Sequence, residues 1–165
     1  MTATASRMAA VAYGVPRPAD IAGMTGRAIL QAIIDGALPQ PPIADSLSFL
    51  LTEVREGFAA FTGNPGPHLL NPMGNVHGGW ALTLIDSAGG CAALSLLPPG
   101  VSYATVETKV NFSRPITADT GPVRAEAHVV GHGRQIISAE ARVLRADGKV
   151  LAHGTSTLLV SGGAR

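Results

Sequence analysis

The sequence predicts an α+β fold in which a six-stranded antiparallel sheet wraps around one long central helix, with a short helix before it. Residues 77–97 contain no proline and are closed by Pro98, Pro99 and Gly100, so they form the one stretch long enough for a major helix. Four segments of alternating apolar and polar residues follow, and two shorter strand-like segments precede it. This order favours a single sheet with the helix packed against it.

The composition is typical of one globular domain. Of the 165 residues, 46% are hydrophobic and 14% are charged, and no uninterrupted apolar run reaches the roughly 18 residues of a membrane span. We predict an N-terminal arm over residues 1–24 and a single domain over residues 25–165. The arm is Ala-rich and broken by Pro16 and Pro18. Asp20 is its first acidic residue, which leaves a transit peptide as an alternative.

Charge and cysteine usage exclude several classes of function. The net charge is +1 and the 12 Lys and Arg residues form no cluster, which argues against a nucleic-acid partner. Sparse charge also suggests that another copy of the chain covers part of the apolar surface, so we expect a homo-oligomer. Cys91 is the only cysteine, which excludes an intrachain disulfide and favours a reducing, cytoplasmic location.

Secondary structure before the central helix is predicted from apolar spacing and from turn residues. Residues 25–35 read as a short helix, with Thr25 as its cap and Gly36 as its end. Three prolines then predict a linker without regular structure: Pro39, Pro41 and Pro42. Residues 46–54 and 57–62 are predicted to form a hairpin, and residues 63–67 a loop.

The remaining strands are predicted at residues 103–114, 122–130, 134–145 and 149–160. In the first of them, alternation places four residues on one half-buried face: Val106, Thr108, Val110 and Phe112. Within the central helix, Gly89 and Gly90 each weaken helix formation by about 1 kcal/mol relative to alanine. Small residues at these positions indicate that a strand presses closely against the helix.

The densest group of unusual residues lies where the central helix begins: Asn71, Gly74, His77, Gly78, Gly79 and, two turns into the helix, Asp86. This pattern resembles the active-site signature of the PaaI-type (phenylacetate-pathway) hotdog thioesterases. Residues 105–115, TVETKVNFSRP, resemble the strand that follows the helix in that family. The resemblance covers residues 26–160 and implies a hotdog fold and hydrolysis of an acyl-CoA thioester.

Gly78 is the predicted oxyanion donor. The start of a helix leaves backbone N–H groups unpaired, and a glycine lets a substrate carbonyl approach them closely. Such preorganised donors stabilise the transition state of acyl transfer. The alternative is that Gly78 and Gly79 only permit a tight turn into the helix.

Asp86 is the predicted catalytic carboxylate and, by the resemblance, acts either as the nucleophile or as the base that activates water. It lies eight residues beyond Gly78, about 12 Å along one helix, so the two cannot serve the same carbonyl. If both are catalytic, the carboxylate comes from a second subunit with an antiparallel helix, and a two-fold dimer is the smallest active unit. The alternative is a solvated aspartate on an exposed helix face.

Two further residues gain roles from the resemblance. The Asn71 amide would orient the attacking water or the carboxylate, whereas its residue type alone favours an Asn-Pro turn. His77 would shape the loop or assist the oxyanion site, and a lone histidine is more often structural. One departure from the family pattern is Gly90, at a position where related enzymes often carry a hydroxyl residue; Ser87 is the candidate substitute.

Coenzyme A enters as part of the substrate, and the resemblance implies no separate cofactor. It points to five residues for coenzyme A binding: Lys109, Asn111, Arg114, Gly133 and Arg134. Gly133 would let a phosphate approach the backbone closely. Each of the five could instead be an ordinary solvated residue at a strand end.

Other chemistries find no support in the sequence. No Gly-x-Ser-x-Gly elbow is present for a serine nucleophile. His128 and His132 would lie about 13 Å apart along a strand and its turn, so we predict no metal site. Cys91, among small helical residues, favours packing over catalysis.

Two alternatives to a thioesterase remain. A hotdog hydratase or dehydratase would need a histidine and an acid placed for proton transfer, and the pattern from Asn71 to Asp86 disfavours it. A non-catalytic acyl-CoA binder would gain nothing from the Asp86 carboxylate. The acyl group, aryl-acetyl, benzoyl or medium-chain, and the choice between dimer and tetramer stay open.

Overall fold

A computed structural model describes residues 11–162, and the part of the predicted arm in residues 1–10 lies outside them. We label the helices α1 (Gly26–Ile34), α2 (Pro42–Ser46) and α3 (Gly78–Leu94). The strands are β1 (Phe49–Arg55), β2 (Phe58–Gly63), β3 (Val101–Phe112), β4 (Val123–His132), β5 (Ile136–Arg145) and β6 (Val150–Gly162). Short 3₁₀ turns occupy Pro18–Asp20 and Pro67–Leu69.

The six strands form one sheet in the order β1-β2-β4-β5-β6-β3, and every neighbouring pair is antiparallel. The sheet is curled around α3, which contacts all six strands. This confirms the predicted α+β hotdog architecture. β1 and β3 are the edges, so the long β3 strand presents an unpaired row of backbone groups within one subunit. None of the described helices is long and apolar enough to cross a bilayer.

The central helix α3 is buried on its sheet-facing side by Trp80, Leu84, Ile85 and a series of small residues. Gly89 packs so tightly that a β-carbon there would lie 3.0 Å from Ser156 Oγ on β6. Close contact between helix and sheet therefore explains this glycine, as predicted. The helix ends at Leu94, three residues before the predicted end at Leu97. Leu97 precedes Pro98, which disfavours helical geometry, and its N–H closes a tighter turn onto Leu94 O at 2.9 Å.

The first helix begins and ends as predicted. Thr25 caps it by accepting a hydrogen bond from Ala28 N–H at 3.2 Å, and Gly36 follows with a φ of 79°. Gly26 N–H donates to Leu97 O at 3.0 Å, and a β-carbon at residue 26 would collide with Leu94 O. Helix α1 is thereby fixed against the C-terminal end of the central helix.

The proline-rich linker contains more structure than predicted. Pro42 opens the short helix α2, because proline fits the first helical position, where no N–H donor is needed. The strand predicted from residue 46 therefore begins only at Phe49. Buried Gln40 ties the linker to β1: its amide donates to Leu51 O and its carbonyl accepts from Leu51 N–H, both at 3.2 Å.

Strand β3 does not alternate regularly. Its pairing with β6 shifts between Thr105 and Glu107, so Val106 is an extra residue that is left out of the register. Val106 is 63% exposed. The prediction that one half-buried face carries Val106, Thr108, Val110 and Phe112 is therefore wrong at Val106. The bulge has a direct consequence for the site: it turns Thr105 and Thr108, three residues apart, towards the same side chain.

Candidate active site

The loop before the central helix is closed by its own hydrogen bonds. Leu70 and Val76 form an antiparallel bridge, and His77 N–H donates to Leu69 O at 2.8 Å. Asn71 Oδ1 accepts from Met73 N–H at 2.9 Å and from Asn75 N–H at 3.2 Å. The structure therefore places the Asn71 side-chain oxygen inside the turn, as expected of an Asn-Pro turn residue.

His77 is the N-cap of α3. Its Nδ1 accepts from Gly79 N–H at 2.9 Å, and its carbonyl accepts from Trp80 N–H at 2.9 Å. The Gly78 N–H, which precedes these two donors, makes no hydrogen bond to another residue within 11–162. An unpaired amide at a helix N-terminus is a donor available to an anionic or polarised oxygen.

The Phe112 ring, at the end of β3, covers the Gly78 backbone. A β-carbon at residue 78 would lie 2.9 Å from the ring, so a glycine is needed for this contact. Phe112 itself is 60% exposed in the single chain. The Gly78 amide thus lies beside an apolar ring and is paired with no group in the described part of its own subunit.

Asp86 is half-buried on the face of α3 that meets β3. Its Oδ1 accepts from Thr105 Oγ1 at 3.0 Å and from Thr108 Oγ1 at 3.1 Å. Among the described residues, Oδ2 has no hydrogen-bond partner. The carboxylate is therefore held by two hydroxyls through one oxygen, and the other oxygen is left for a partner outside the chain.

An open hollow of about 350 Å³ lies over Asp86, between the central helix and the edge strand. Its walls include Leu82, Thr83 and the bulged segment of β3 from Thr105 to Thr108. The hollow is at the β3 edge of the sheet, where residues 11–162 supply no further strand. Asp86 is accordingly accessible to solvent and to a second molecule.

Gly90, one turn after Asp86, is covered by the side chain of Tyr103. A β-carbon at residue 90 would collide with the Tyr103 hydroxyl oxygen. Burial raises the pKa of Tyr103 above its ordinary range, with smaller contributions from Cys91 and Asp86, so the phenol is neutral. The Tyr103 hydroxyl from β3 therefore occupies the space beside Gly90, where the resemblance led us to expect a hydroxyl residue on the helix. The hydrogen bonds that Asp86 accepts come from Thr105 and Thr108, and not from the candidate substitute Ser87.

The five residues assigned to coenzyme A do not form one cluster within a subunit. Lys109 and Asn111 are exposed on β3, and Arg114 follows that strand, where its guanidinium donates to Val150 O at 2.6 Å. Gly133 and Arg134 lie in the β4–β5 turn, and Gly133 N–H donates to Ile136 O at 2.8 Å. Ile136 pairs with Leu159, and Leu159 pairs with Ala104, so this turn is level with the start of β3. The two groups are about 25 Å apart along the strand direction.

Gly78 and Asp86 lie on the same uninterrupted helix, about 12 Å apart along its axis. Within one subunit they cannot approach a single thioester carbonyl together. The residues that sequence reasoning missed are the ones that hold Asp86 and cover Gly78 and Gly90: Thr105, Thr108, Ser156, Tyr103 and Phe112. One signal was available, because Thr108 is a hydroxyl residue on a strand face otherwise predicted to be apolar.

The sequence profile of the thioesterase superfamily matches residues 73–152, which include the helix start, Asp86 and all of strands β3, β4 and β5. The chain is also 44% identical to a predicted esterase of Halobacterium salinarum over 73 residues, which are 43% of this chain and 46% of that protein. The match therefore spans about half the length of that relative.

Solved structures extend the similarity over most of the fold. A conserved protein of Pseudomonas aeruginosa is 30% identical, with 73% of this chain and 94% of that chain covered and a TM-score of 0.68. The E. coli PaaI protein from the phenylacetic acid degradation operon is 26% identical, with 74% and 86% covered and a TM-score of 0.67. A hypothetical thioesterase of Streptococcus pneumoniae, solved with coenzyme A, is 24% identical, with 72% and 92% covered and a TM-score of 0.64. Over residues 73–152 the chain is thus similar to the thioesterase superfamily, and its fold is that of the PaaI-type hotdog structures.

Proposed function

We propose that the protein is an acyl-CoA thioesterase that hydrolyses an aryl- or medium-chain acyl-CoA to the free acid and coenzyme A. The observation that carries the proposal is the arrangement on α3. An unpaired amide at Gly78 and a carboxylate held ready at Asp86 lie on one helix, each with an atom that no described residue of its own subunit engages. Acyl transfer needs these two groups, a donor for the carbonyl oxygen and a nucleophile or base.

The active unit is a homodimer formed through the edge strand β3, with a tetramer as the expected larger assembly. β3 is 12 residues long and, among the described strands, has a neighbour on one side only. Its side chains Val106 and Phe112 are 63% and 60% exposed. A two-fold axis at this edge would pair β3 with its copy and bring the central helices side by side in opposite directions. Gly78 of one subunit would then face Asp86 of the other. The two groups could serve the same carbonyl, although within one subunit they lie about 12 Å apart along the helix.

In the proposed reaction, the substrate carbonyl oxygen accepts a hydrogen bond from Gly78 N–H, which stabilises the negative charge that develops there. Asp86 of the other subunit either attacks the carbonyl carbon or removes a proton from a water that attacks it. The bond from carbon to sulfur breaks, and coenzyme A departs as the thiolate. If Asp86 attacks, water then hydrolyses the acyl-aspartate anhydride and restores the carboxylate.

Asn71 and His77 support the donor in this proposal. The Asn71 carbonyl fixes the loop before the helix through two hydrogen bonds and leaves its amide group to orient water. His77 caps Gly79, which keeps the neighbouring Gly78 N–H directed at the substrate. Neither residue needs to exchange a proton for these roles.

Coenzyme A would be held across the dimer. Lys109, Asn111 and Arg114 come from one end of β3 and Gly133 and Arg134 from the other, and an antiparallel β3 pair would bring opposite ends of the two subunits together. Their cations suit the phosphates of the cofactor portion of the substrate. The S. pneumoniae relative was solved with coenzyme A, which agrees with a coenzyme A substrate. A cytoplasmic location, where acyl-CoA is present in a reducing milieu, fits the single free thiol.

The test is thiol release from a panel of aryl and aliphatic acyl-CoA thioesters, with the wild type compared with Asp86→Asn. We expect Asp86→Asn to lower kcat by about a thousandfold, the scale of losing an essential carboxylate. Asp119→Asn is the matched control, because Asp119 is an exposed aspartate in the loop between β3 and β4 and is not part of the proposed site. Full activity of Asp86→Asn in an intact oligomer would contradict the site.

The panel also separates the alternatives. Loss of the conjugated absorbance of an enoyl-CoA without thiol release would identify a hydratase. Recovery of every thioester intact after prolonged incubation, with saturable binding, would identify a binder. Single-turnover hydrolysis in ¹⁸O-labelled water tests attack by Asp86: unlabelled product with the label on Asp86 indicates attack by the carboxylate and hydrolysis of the anhydride at the Asp86 carbonyl carbon. Labelled product arises from direct attack by water and also from hydrolysis of an anhydride at its acyl carbon, and trapping of the acyl-enzyme with hydroxylamine separates these two cases.

A further inference from the structure

A chain of three side chains runs from β6, the strand next to the edge strand β3, to Asp86. Ser156 Oγ on β6 lies 3.1 Å from Thr108 Oγ1 on β3, and Thr108 Oγ1 lies 3.1 Å from Asp86 Oδ1 on α3. Ser156 is 2% exposed and is one of three buried polar or charged residues within 11–162. A buried hydroxyl requires a hydrogen-bond partner, and Thr108 is the partner that Ser156 has.

The chemistry of the groups fixes the direction of this chain. An ionised carboxylate only accepts hydrogen bonds, so Thr108 donates its hydroxyl hydrogen to Asp86. Thr108 has no second hydrogen to donate, so the contact with Ser156 must be one in which Ser156 donates and Thr108 accepts. The sequence of donors is therefore Ser156 to Thr108 to Asp86.

Two features of the backbone make room for this relay. Gly89 lies opposite Ser156, and a β-carbon there would approach Ser156 Oγ to 3.0 Å and its Cβ to 3.1 Å. The bulge at Val106 changes the side of the strand on which later residues lie and turns Thr108 towards the helix. A glycine and a bulge thus combine to bring a buried hydroxyl into line with the carboxylate.

We infer that Thr108 and Ser156 are positioning residues, which hold the Asp86 carboxylate so that Oδ2 points into the hollow beside β3. The inference rests on the proposed function, since Asp86 is its reacting group. Thr105 also donates to Oδ1, but Thr105 is exposed and competes with water, whereas the Ser156 end of the relay is sealed in the core. Hydrogen bonds shielded from water and directed to a charged group are the stronger kind, and a donor that is itself polarised strengthens the next bond.

The test compares Thr108→Val, which keeps the shape and removes the donor, with Thr108→Ser, which restores it. We expect Thr108→Val to lower kcat about tenfold with KM changed less than about twofold, because the Thr108 hydroxyl hydrogen is engaged by Asp86 and Thr108 acts through that carboxylate. Thr108→Ser is expected to recover most of the loss. Thr155→Val is the matched control, since Thr155 lies next to Ser156 but on the outer face of the sheet.

Ser156→Ala provides the decisive comparison, because Ser156 lies too deep to contact substrate. We expect a loss in kcat of about threefold on the wild-type background and none on the Thr108→Val background, since Ser156 acts only through Thr108. Equal losses on both backgrounds would indicate a general packing defect and would overturn the relay.

Crystal structures of the same variants give a readout that needs no activity. We expect the Asp86 carboxylate to keep its orientation in Thr108→Ser and to rotate away from β3 in Thr108→Val. An unchanged carboxylate in both Thr108→Val and Ser156→Ala overturns the inference, whether or not the wild type hydrolyses thioesters. Wild-type hydrolysis with full kcat in both variants overturns it as well, and leaves the proposed function intact.

Discussion

The aromatic ring of Phe112 rests on the Gly78 backbone, so closely that a β-carbon at residue 78 would come within 2.9 Å of it. The contact joins the end of the edge strand to the start of the central helix. It places an apolar wall beside an unpaired amide, and a hydrogen bond made in an apolar, water-poor setting is stronger than one made in water. The contact therefore bears directly on how well Gly78 could stabilise a developing oxyanion.

Gly78→Ala should damage catalysis more than stability. The added methyl group must displace the Phe112 ring and would crowd the approach of a carbonyl oxygen, so we expect kcat/KM to fall about tenfold or more. Alanine in a helix is favoured over glycine by about 1 kcal/mol, which offsets part of the steric strain on the folded state. Steady-state kinetics and thermal unfolding of the same preparation measure both effects.

The double variant Gly78→Ala with Phe112→Leu separates the two causes of that loss. If displacement of the ring is the cause, the smaller leucine side chain relieves it and activity returns. If the methyl group blocks the carbonyl itself, activity stays low. Full activity in Gly78→Ala alone would show that no substrate oxygen binds at this amide.

Gly90→Ala should destabilise the fold, although the same change in an open helix would be favourable. The new β-carbon would collide with the Tyr103 hydroxyl and lie 2.7 Å from its ring, so the side chain of Tyr103 must leave its place on α3. We expect a net loss of about 1 to 3 kcal/mol, the range for overpacking a core. Chemical denaturation of Gly90→Ala, alone and together with Tyr103→Leu, measures the loss in the free energy of unfolding. We expect the double variant to recover part of that loss.

Much of the fold could be predicted because each element carries its own local signal. The central helix lies between a glycine pair and two prolines, and the strands after it alternate with period two. The bulge at Val106 has no such signal, since it depends on how β3 and β6 pair. The short helix that begins at Pro42 was not predicted either. Proline breaks a helix in its interior but is favoured at its first position, and the sequence alone does not say which of the two applies.

The candidate site also has a part that residue spacing predicts and a part that depends on contacts between elements. Gly78 and Asp86 could be placed on one helix from their spacing alone, and the distance between them follows from helix geometry. The contact between Tyr103 and Gly90 joins residues on different elements, so no spacing rule could supply it. Thr105 and Thr108 would face opposite ways on a regular strand, and only the bulge brings both hydroxyls to one carboxylate oxygen.

His77→Ala should lower stability through the loss of a helix cap. The Nδ1 atom of His77 is the side-chain acceptor for Gly79 N–H, and loss of an N-cap acceptor typically costs about 1 kcal/mol. His77→Asn should retain the cap, because asparagine is among the preferred N-cap residues. If His77→Asn keeps both the unfolding midpoint and kcat, the histidine is a cap; a stable variant with low kcat would instead give the ring a part in the chemistry.

The single thiol should be unreactive in the folded protein. Burial raises the pKa of Cys91 to about 12, and the negative charge of Asp86 adds to the shift. A raised thiol pKa means that the reactive thiolate is scarce at pH 8 in the folded protein. Cys91 is half-buried and lines an apolar hollow together with Leu30 and Phe61.

Iodoacetamide at about pH 8 should therefore leave the native protein unmodified over hours and add one carbamidomethyl group in denaturant, where the thiol pKa returns to about 8.5. Intact-mass spectrometry gives a clear answer because the chain has one cysteine. Asp86→Asn is the informative control: removal of the charge should increase the rate only slightly, since burial is the larger cause. Complete alkylation of the native protein would mean that the apolar hollow beside Cys91 admits the reagent and that the thiol pKa is not raised as far as its burial indicates.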